Sequence, residues 1–453
     1  MAISVTGGGS SNTSTGLGQG IDVAQFVQLA LAGDQANITA RQTTQTALTA
    51  QSQALAKITS DLSSLSSAAF ALKDPLGALN GLTATSSNAS VLSATAASST
   101  TAGVHTITVA NLATTSSFYS DALASSSAQF ASGSFQVSAG GTQVGSVTVG
   151  INNGTLDEIA ASINNQTSAV RASVINDANG SRLALVSTVS GAPGNLAVTG
   201  SLTAADTNHT VINFNQAVAG INASLTVDGV PISSTTNTIS GVINGVTLNL
   251  TSPGSSVTLA VNPDASKATD AINQLVSAYN TAIKDINAQF TVNSDGTGGG
   301  PLEADGSLRE AQAALLGAAV FSGTGNNGVV NLASIGVNLN NDGTLSVDSG
   351  ALASSLSSNF SAVQNFLQST TGNFAGNLSA TISNLTDPTA GPLGLDAKGI
   401  AQSSQDLAQQ ISDLQASLTV KQQQLTLVYA QVNVTLQQLP LLQNQLSQQL
   451  ARA

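Results

Sequence analysis

The chain has 453 residues, of which 8% are charged and 3% are aromatic, and its net charge is −12. The acidic balance argues against binding to nucleic acid or to anionic membranes, which requires basic patches. The absence of cysteine excludes disulfides, thiolate zinc sites and cysteine nucleophiles. The length suits about three domains, and no apolar run reaches the roughly 18 residues expected of a membrane span.

The chain opens with a segment rich in Gly, Ser and Thr, and its first basic residue is Arg41. A secretory signal peptide would begin with basic residues followed by an apolar run. We therefore predict a flexible terminal segment at residues 1–36, with a role in export. Two interpretations stay open from composition: a cytoplasmic protein, and a protein exported without a cleaved leader.

Residues 21–72 are predicted to be helical, with Asp22 as N-cap, an interruption at Gly33 and an end at Asp74-Pro75. We assign residues 37–76 as an N-terminal helical arm because apolar residues there alternate at spacings of three and four. The predicted seam consists of Leu55, Ile58, Leu62, Leu65, Ala69 and Leu72. One apolar stripe cannot offset the entropy of ordering such a helix, so it needs a packing partner.

From about residue 82 the apolar period changes to two, which predicts strands. The predicted elements are strands from Val104 and from Gly133, a helix capped by Thr155, a hairpin around Asn179-Gly180, and strands from Ala223 to Val261. We divide this region into a first β-rich part at 77–117, an inserted β-rich head domain at 118–220 and a second β-rich part at 221–263.

Helical periodicity returns at Asp264, and residues 264–399 are predicted to form a helical leg domain with a hairpin. The apolar stripe of its first helix is Ala268, Ile272, Leu275, Val276, Tyr279, Ile283 and Ile286. Further helices are predicted at 307–320 and 349–366. Between them, the hairpin turns at Asn341-Asp342-Gly343.

Residues 400–453 are predicted to form a C-terminal coiled coil, since apolar residues recur there in heptads. Its seam residues are Leu407, Ile411, Leu414, Leu418, Leu425, Val428, Val432 and Leu439, continued by Leu442 and Leu446. The intervening residues are mostly Gln and Ser, without the Glu and Lys that usually select one partner. Pro440 is expected to kink or end the helix. The two terminal helices could pack within one chain, or also against neighbouring subunits.

Together these elements predict an α+β fold, in which both chain ends build a helical coiled-coil or bundle domain and β-rich domains are inserted between them. The only two histidines, His105 and His209, are far apart in sequence, and no G-x-S-x-G motif is present. The glycine series at residues 16–20 follows no strand. The segment from Thr291 lacks the first and twelfth ligands of a calcium loop. We therefore predict no catalytic, cofactor-binding or metal-binding residues, and no enzyme activity.

Three parts of the chain resemble the flagellar hook-associated protein 2 family, the filament cap proteins. The matching residues and segments are Gly20, Ile21, Asp22, Val27 and Leu29; Gly154, Thr155, Leu156, Ile159, Ile163 and Asn164; Asn237 to Leu248; and Ile335 to Asp348. The second group lies in a segment that resembles the repeat shared by flagellins and hook-associated proteins.

The resemblance implies a secreted, extracellular protein at the tip of the bacterial flagellum. It implies a homo-oligomeric ring, often of five subunits, that helps flagellin fold and insert and keeps flagellin from escaping. The implied partners are the chain itself, flagellin, the hook–filament junction proteins and an export chaperone. Neither nucleic acid nor a membrane span is implied.

Other functions compete with the cap. A filament subunit or junction protein would share the heptad ends, but the segments from Asn237 and from Ile335 favour the cap. A surface adhesin would use its Ser/Thr/Asn-rich β domains for attachment, and should carry a leader or a wall anchor. An enzyme acting on surface polysaccharide is disfavoured, because the 23 acidic residues fall mostly at caps and turns.

Overall fold

In a computed structural model, the described residues are 21–98, 100–149, 154–291, 298–324, 327–368 and 372–451. They form two compact units. The helical unit comprises the described residues of 1–73, 272–352 and 365–453, and the β unit comprises those of 74–271 and 353–364. Long helices near both chain ends and a β-rich centre confirm the predicted α+β class. The finer division into seven segments stays a prediction.

The described helices are α1 Val23–Lys73, α2 Leu156–Gln166, α3 Ala265–Phe290, α4 Gly306–Ala319, α5 Ser349–Ser358, α6 Phe360–Gln368, α7 Phe374–Thr386 and α8 Pro392–Leu450. The described strands are β1 Leu82–Ser86, β2 Leu92–Ala96, β3 Gly103–Asn111, β4 Thr115–Ser120, β5 Phe130–Ala139, β6 Thr142–Thr148, β7 Val170–Asp177, β8 Gly180–Ser190, β9 Leu196–Ala204, β10 Val211–Ile212, β11 Phe214–Val218, β12 Ala223–Val227, β13 Val230–Ser234, β14 Thr238–Ser240, β15 Val246–Leu250, β16 Gly254–Pro263, β17 Val337–Leu339 and β18 Leu345–Val347.

Helix α1 begins where its cap is predicted, since Oδ1 of Asp22 accepts a hydrogen bond from the backbone N–H of Gln25 at 3.1 Å. It then runs through Gly33, where an interruption was expected. An isolated glycine costs only about 1 kcal/mol in a helix, and burial of Val27, Leu31 and other residues along α1 offsets it. Residues 23–36, assigned to a flexible segment, are therefore helical, while residues 1–20 lie outside the described residues.

Helix α8 also differs from its prediction, because it begins at Pro392 and continues past Pro440 to Leu450. Proline is favourable in the first helical turn, which explains the early start. Pro440 cannot donate to the carbonyl of Leu436, but this part of α8 is largely exposed, so water can satisfy that carbonyl. Helix α7 was not predicted, and the single helix expected from Ser349 to Phe366 is two helices separated at Asn359.

In the helical unit, every residue of the α3 stripe from Ile272 onward is buried. The β17–β18 hairpin turns at Gly343 as predicted, with φ of 81°. Asn280 of α3 secures this hairpin through both of its side-chain groups. Its Oδ1 accepts from the N–H of Leu345 at 2.6 Å, and its Nδ2 donates to the carbonyl of Leu345 at 2.8 Å.

The β unit has two hydrophobic cores. One lies between a five-stranded sheet of order β1-β16-β3-β12-β13 and a three-stranded sheet of order β14-β15-β2. The other is enclosed by two four-stranded sheets, β10-β9-β5-β6 and β11-β4-β8-β7, together with α2. The described strands of these sheets all pair antiparallel. The chain passes to the second core between β3 and β4, and returns between β11 and β12.

Asn237 forms two hydrogen bonds to the chain segment that connects these two cores. Its Oδ1 accepts from the N–H of Ala113 at 2.7 Å, and its Nδ2 donates to the carbonyl of Ala113 at 2.9 Å. Ala113 lies in the short connection between β3 and β4, so one carboxamide satisfies both polar groups of a buried connecting residue. This contact gives a structural reason for an asparagine at the start of the segment that resembles the cap family.

Helix α2 forms as predicted. The hydroxyl of Thr155 accepts from the N–H of Glu158 at 3.3 Å, and the Glu158 carboxylate accepts from the N–H of Thr155 at 3.0 Å. This reciprocal capping satisfies two backbone donors at the helix start. The four residues predicted for its apolar face are all buried: Leu156, Ile159, Ala160 and Ile163.

Candidate assembly surfaces

Helices α1 and α8 of the helical unit lie antiparallel along each other. The side chain of Asp34 forms an ion pair of 2.7 Å with Lys421. Arg41 donates to Gln410, and the Gln45 amide donates to Ser404 at 2.6 Å. Residue numbers rise along α1 as they fall along α8, which defines the antiparallel arrangement. The intrachain pairing proposed for the two terminal helices is therefore present.

The N-terminal seam lies inside this helical unit. Leu55, Ile58, Leu62 and Leu65 are all 1% exposed or less. Ala69 and Leu72, at the end of the same stripe, are also buried. These side chains stabilise the fold of one chain, and a role for them in contacts between subunits stays a prediction.

The C-terminal seam divides into two parts. Its first part is half-buried and comprises Leu407, Ile411, Leu414, Leu418 and Leu425. Its second part, Val428, Val432 and Leu439, is between 40% and 56% exposed. A straight α-helix has 3.6 residues per turn, so a strict seven-residue repeat drifts by about 20° per heptad. Beyond Leu425 the drift carries the predicted seam away from α1.

Tyr429 takes the position that Val428 was expected to hold. Its ring packs on the ring of Phe26 in α1, with centroids 5.9 Å apart. Farther along α8, Oδ1 of Asn433 accepts from the backbone N–H of Ile21 at 2.9 Å. Neither Tyr429 nor Asn433 was among the predicted seam residues, because an aromatic residue one position off the heptad and a polar residue give no seam signal.

Among the described residues, an apolar surface of α8 remains uncovered, and we call it the α8 stripe. Its members are Val420, Leu427, Val428, Val432, Val434, Leu439, Leu441, Leu442, Leu446 and Leu450, all between 40% and 73% exposed. The stripe continues past Asn433, which bonds to Ile21, the first described residue of the chain. On α1 itself, Leu29 is 75% exposed. An extended exposed apolar patch of this kind marks a protein interaction surface.

Among the described residues of the helical unit, ion pairs are few, and each has at least one exposed side chain. Lys57 lies between the carboxylates of Asp61 and Asp285 and donates to both. The hydrogen bond from Lys57 lowers the pKa of Asp285, whereas burial raises the pKa of Asp61. The sequence suggested a seam without charges, yet Lys421 and Asp34 do form one cross-helix pair. Exposed pairs contribute only about 0–1 kcal/mol each, so apolar packing dominates.

His105 has a structural partner in the β unit. Its Nδ1 lies 2.7 Å from Oδ2 of Asp228, and the N–H of Thr106 donates to the other carboxylate oxygen at 2.8 Å. The bond with His105 lowers the pKa of Asp228. Asp228 sits at φ of 51° in the β12–β13 turn, so these bonds hold a left-handed turn residue against β3. A hollow of about 420 Å³ beside the pair is lined mainly by aliphatic side chains.

Within the described ranges, no group of three or more His, Asp or Glu side chains could hold a metal ion. Across the same part of the chain, none of the helices combines the length and hydropathy needed to cross a membrane.

Family models match the chain at both of its terminal parts. The flagellar hook-associated protein 2 N-terminus matches residues 19–116, and the flagellar hook-associated protein 2 C-terminus matches residues 220–440. The B-type flagellar hook-associated protein 2 of Pseudomonas aeruginosa is 31% identical over 398 residues, covering 80% of this chain and 84% of that protein. This chain belongs to the flagellar hook-associated protein 2 family.

Two further proteins extend the comparison. The flagellar hook-associated protein 2 of Escherichia coli is 29% identical over 381 residues, covering 78% of this chain and 79% of that protein. A crystal structure of the flagellar cap protein FliD from Escherichia coli superposes with a TM-score of 0.52 at 26% identity. It covers 77% of this chain and 99% of the crystallised one. The family resemblance inferred from the sequence is therefore confirmed.

Proposed function

We propose that this chain is a flagellar filament cap. It forms an oligomeric ring at the growing tip, promotes the folding and polymerisation of flagellin and prevents flagellin from leaking out. Family membership supports this function, as does the name of the Escherichia coli structure, a flagellar cap protein. The observation that carries the proposal is the α8 stripe, because the exposed apolar side chains from Val420 to Leu450 form an extended surface of the kind that binds another protein.

The proposed partners are those that the family resemblance implies. Another copy of the chain, flagellin and the hook–filament junction proteins are the proposed partners at the flagellum, with an export chaperone before secretion. The proposed location is extracellular, at the flagellum tip, and the proposed ring has about five subunits, the number common among ring-forming caps that the sequence resembles. A protein surface formed by Leu and Val side chains on a helix is recognised best by another amphipathic helix.

The low charge of the stripe suits contacts that must shift while the filament grows. With few ion pairs, no single register between packed helices is strongly favoured. One set of apolar contacts can then replace another at a similar free energy. Replacing Gln438 and Gln445 on the same stretch of α8 with Glu, and Gln437 and Gln448 with Lys, should slow filament growth. Unchanged growth rates would contradict this role of the low charge, but they would not contradict the cap function.

The function is tested by deleting the gene and imaging the flagella. We expect short or absent filaments and flagellin shed into the medium, with both defects corrected by the intact chain. A variant carrying Leu442→Glu and Leu446→Glu should fail to correct them. A matched variant carrying Gln405→Glu and Gln415→Glu, two exposed positions of α8 that precede the α8 stripe, should succeed. Normal filaments combined with lost surface attachment would instead support an adhesin.

A further inference from the structure

The C-terminal part of α8 extends past the helix that packs on it. Ile21, the first described residue, donates its backbone N–H to Oδ1 of Asn433 at 2.9 Å. Because α1 and α8 run antiparallel, the direction of α1 leads from Ile21 towards the C-terminal end of α8. We call residues 434–450 of α8 the overhang. Every residue from 441 to 450 is exposed, so no described part of the chain covers this end of the helix.

Four leucines form one side of the overhang, and they belong to the α8 stripe. They follow one another at spacings of three, four and four residues, which places them on one face of a helix. We call this set the leucine face: Leu439, Leu442, Leu446 and Leu450, all between 40% and 71% exposed. Helices in proteins are stabilised mainly by packing of an apolar face. The leucine face therefore needs an apolar partner.

The sequence ahead of α1 contains a short apolar segment. Residues 1–5 read Met-Ala-Ile-Ser-Val, so that Ile3 and Val5 are separated by Ser4. This spacing of two places both aliphatic side chains on one side of an extended segment. Residues 1–20 and the overhang contain no charged side chain. Contact between them therefore buries no charge and meets no like-charge repulsion.

Residues 6–20 have the length and composition to bring this segment to the leucine face. Six of these residues are Gly and six are Ser or Thr. A Gly/Ser-rich linker of this length has a root-mean-square span of about 20 Å. Leu446 lies 13 residues beyond Asn433, which is also about 20 Å along a helix at about 1.5 Å per residue. Ile3 and Val5 can thus reach Leu446 while the described helices stay in place.

We propose that residues 1–5 bind the leucine face of α8 in the same chain and cover it until another protein displaces them. This inference rests on the proposed function, because the displacing protein is the partner that the α8 stripe binds in the cap. Two aliphatic side chains bury little apolar area. An amphipathic helix that contacts the whole stripe buries more and displaces them.

A segment of the same chain is favoured over a second copy as the cover of a free subunit. A tethered segment has an effective concentration set by its linker, in the millimolar range for a short one, whatever the protein concentration. A second copy brings a net charge of −12 towards another chain of the same charge, and that repulsion opposes association. The uncharged segment meets no such barrier.

Cysteine cross-linking of the full chain tests the contact, because the sequence contains no cysteine. Gln443 lies four residues after Leu439 and three before Leu446, so it borders the leucine face. Under mild oxidation, Ser4→Cys with Gln443→Cys should form an intramolecular disulfide whose yield is the same at every protein concentration. The matched control, Ser4→Cys with Gln448→Cys, puts the second cysteine on the opposite side of the helix and should cross-link several-fold less.

Three outcomes of the cross-linking decide the proposal. Leu442→Glu with Leu446→Glu puts two charges on the leucine face and should abolish the disulfide between residues 4 and 443. Equal yields at residues 443 and 448 would overturn the proposal. A disulfide that joins two chains, and that is lost when the cysteine variant is diluted with the wild type, would show that a second copy covers the face and would overturn it as well.

Hydrogen exchange supplies a test without cysteines. In the Ile3→Ser, Val5→Ser variant, the amides of residues 439–450 should exchange at least about fivefold faster than in the wild type. The matched control, Val104→Ser with Val230→Ser, removes two exposed valines of the β unit and should leave that exchange unchanged. Unchanged exchange in residues 55–72 of α1 shows that the helical unit is folded. Equal exchange of residues 439–450 in the wild type and in the Ile3→Ser, Val5→Ser variant would contradict the cover.

These measurements separate the cover from the proposed function. They use the isolated chain and no flagella, so they can fail while deletion of the gene still gives the filament defect expected of a cap. Conversely, normal filaments after deletion of the gene would contradict the cap, whereas the intramolecular disulfide would persist.

Discussion

The ring of Phe26, near the start of α1, packs against the ring of Tyr429 in α8, with the centroids 5.9 Å apart. The two residues lie near opposite ends of the sequence, and the contact joins the helices close to the first turn of α1. Val428, the neighbouring residue in α8, is 56% exposed. Two adjacent residues of α8 therefore differ in their surroundings: Tyr429 contacts α1, whereas Val428 belongs to the exposed α8 stripe.

Replacing Tyr429 by Ala should loosen this end of the helix pair. We expect faster amide hydrogen exchange in residues 23–31 and 425–433, because α1 loses the ring that covers Phe26. Val428→Ala is the matched control and should leave exchange in both segments unchanged. Equal or larger effects from Val428→Ala would mean that the heptad pattern, and not the observed packing, describes the contact.

Leu62→Ala should destabilise the helical unit by about 2–5 kcal/mol, because Leu62 is fully buried and its truncation leaves a cavity. Leu427→Ala removes the same atoms from a side chain that is 73% exposed. Its effect should stay within about 0.5 kcal/mol. Urea unfolding followed by circular dichroism measures both. Similar losses for the two variants would show that Leu62 is not in the core.

Asn237→Ala should destabilise the β unit by about 1–3 kcal/mol, since both backbone groups of buried Ala113 lose their side-chain partner. The control is Asn244→Ala, which removes an exposed carboxamide from a nearby turn. Thermal unfolding should show the difference. Restored stability in Asn237→Asp would be unexpected, because a carboxylate cannot donate to the carbonyl of Ala113.

Tyr279 should make stability depend on alkaline pH. Burial raises its pKa from the ordinary value of 10.0 to about 12. The unfolded chain therefore loses this proton first, so the contribution is fully present below pH 10 and falls as pH rises towards 12. Tyr279→Phe should weaken this fall while changing stability little at about pH 7, because the hydroxyl donates to the carbonyl of Leu315 over a long 3.5 Å.

The comparison needs unfolding curves of both chains at several pH values. Tyr119→Phe is the control, because that residue is partly exposed on the β unit. An identical alkaline fall in the wild type and in Tyr279→Phe would contradict burial of a neutral phenol.

Asp285 and Asp61 should respond to pH with opposite signs. Lys57 lowers the pKa of Asp285, so its stabilising contribution is present at neutral pH and is lost as pH falls through that lowered pKa. Burial raises the pKa of Asp61, so its ionised form opposes folding, and stability is regained as pH falls through the raised pKa. Asp285→Asn should lower the urea midpoint at neutral pH, and Asp61→Asn should not. The reverse order would contradict this assignment.

Short-range signals in the sequence predicted most of the elements correctly. Asp22, Thr155 and Asp264 cap the helices that follow them, and each accepts a hydrogen bond from the backbone N–H three residues ahead. The hairpins at Asn179-Gly180 and at Gly343 turn where predicted. These features depend on residues a few positions apart, so their chemistry is visible without a tertiary structure.

Helix continuity was harder to predict, because packing over a long surface outweighs one unfavourable residue. Gly33 does not interrupt α1, and Pro440 does not end α8. Conversely, periodicity alone did not show that the helix predicted across Asn359 is divided in two. The helix propensity of one residue is a weak determinant of where a helix ends. Tertiary contacts can offset the cost of about 1–3 kcal/mol that a Gly or Pro adds inside a helix.

The residues of this chain determined by themselves where apolar stripes run, which ends of helices are capped and which turns reverse direction, since each depends on near neighbours. Only the tertiary structure decided which side of each stripe is covered. In the folded chain Val428 is exposed, whereas Tyr429 packs on Phe26. Asn237 is hydrogen-bonded to Ala113, and Arg171 and Arg182 lie on one face of a sheet. Those outcomes depend on contacts between residues that are far apart in sequence. A local sequence pattern does not show which of these residues lie close together in space.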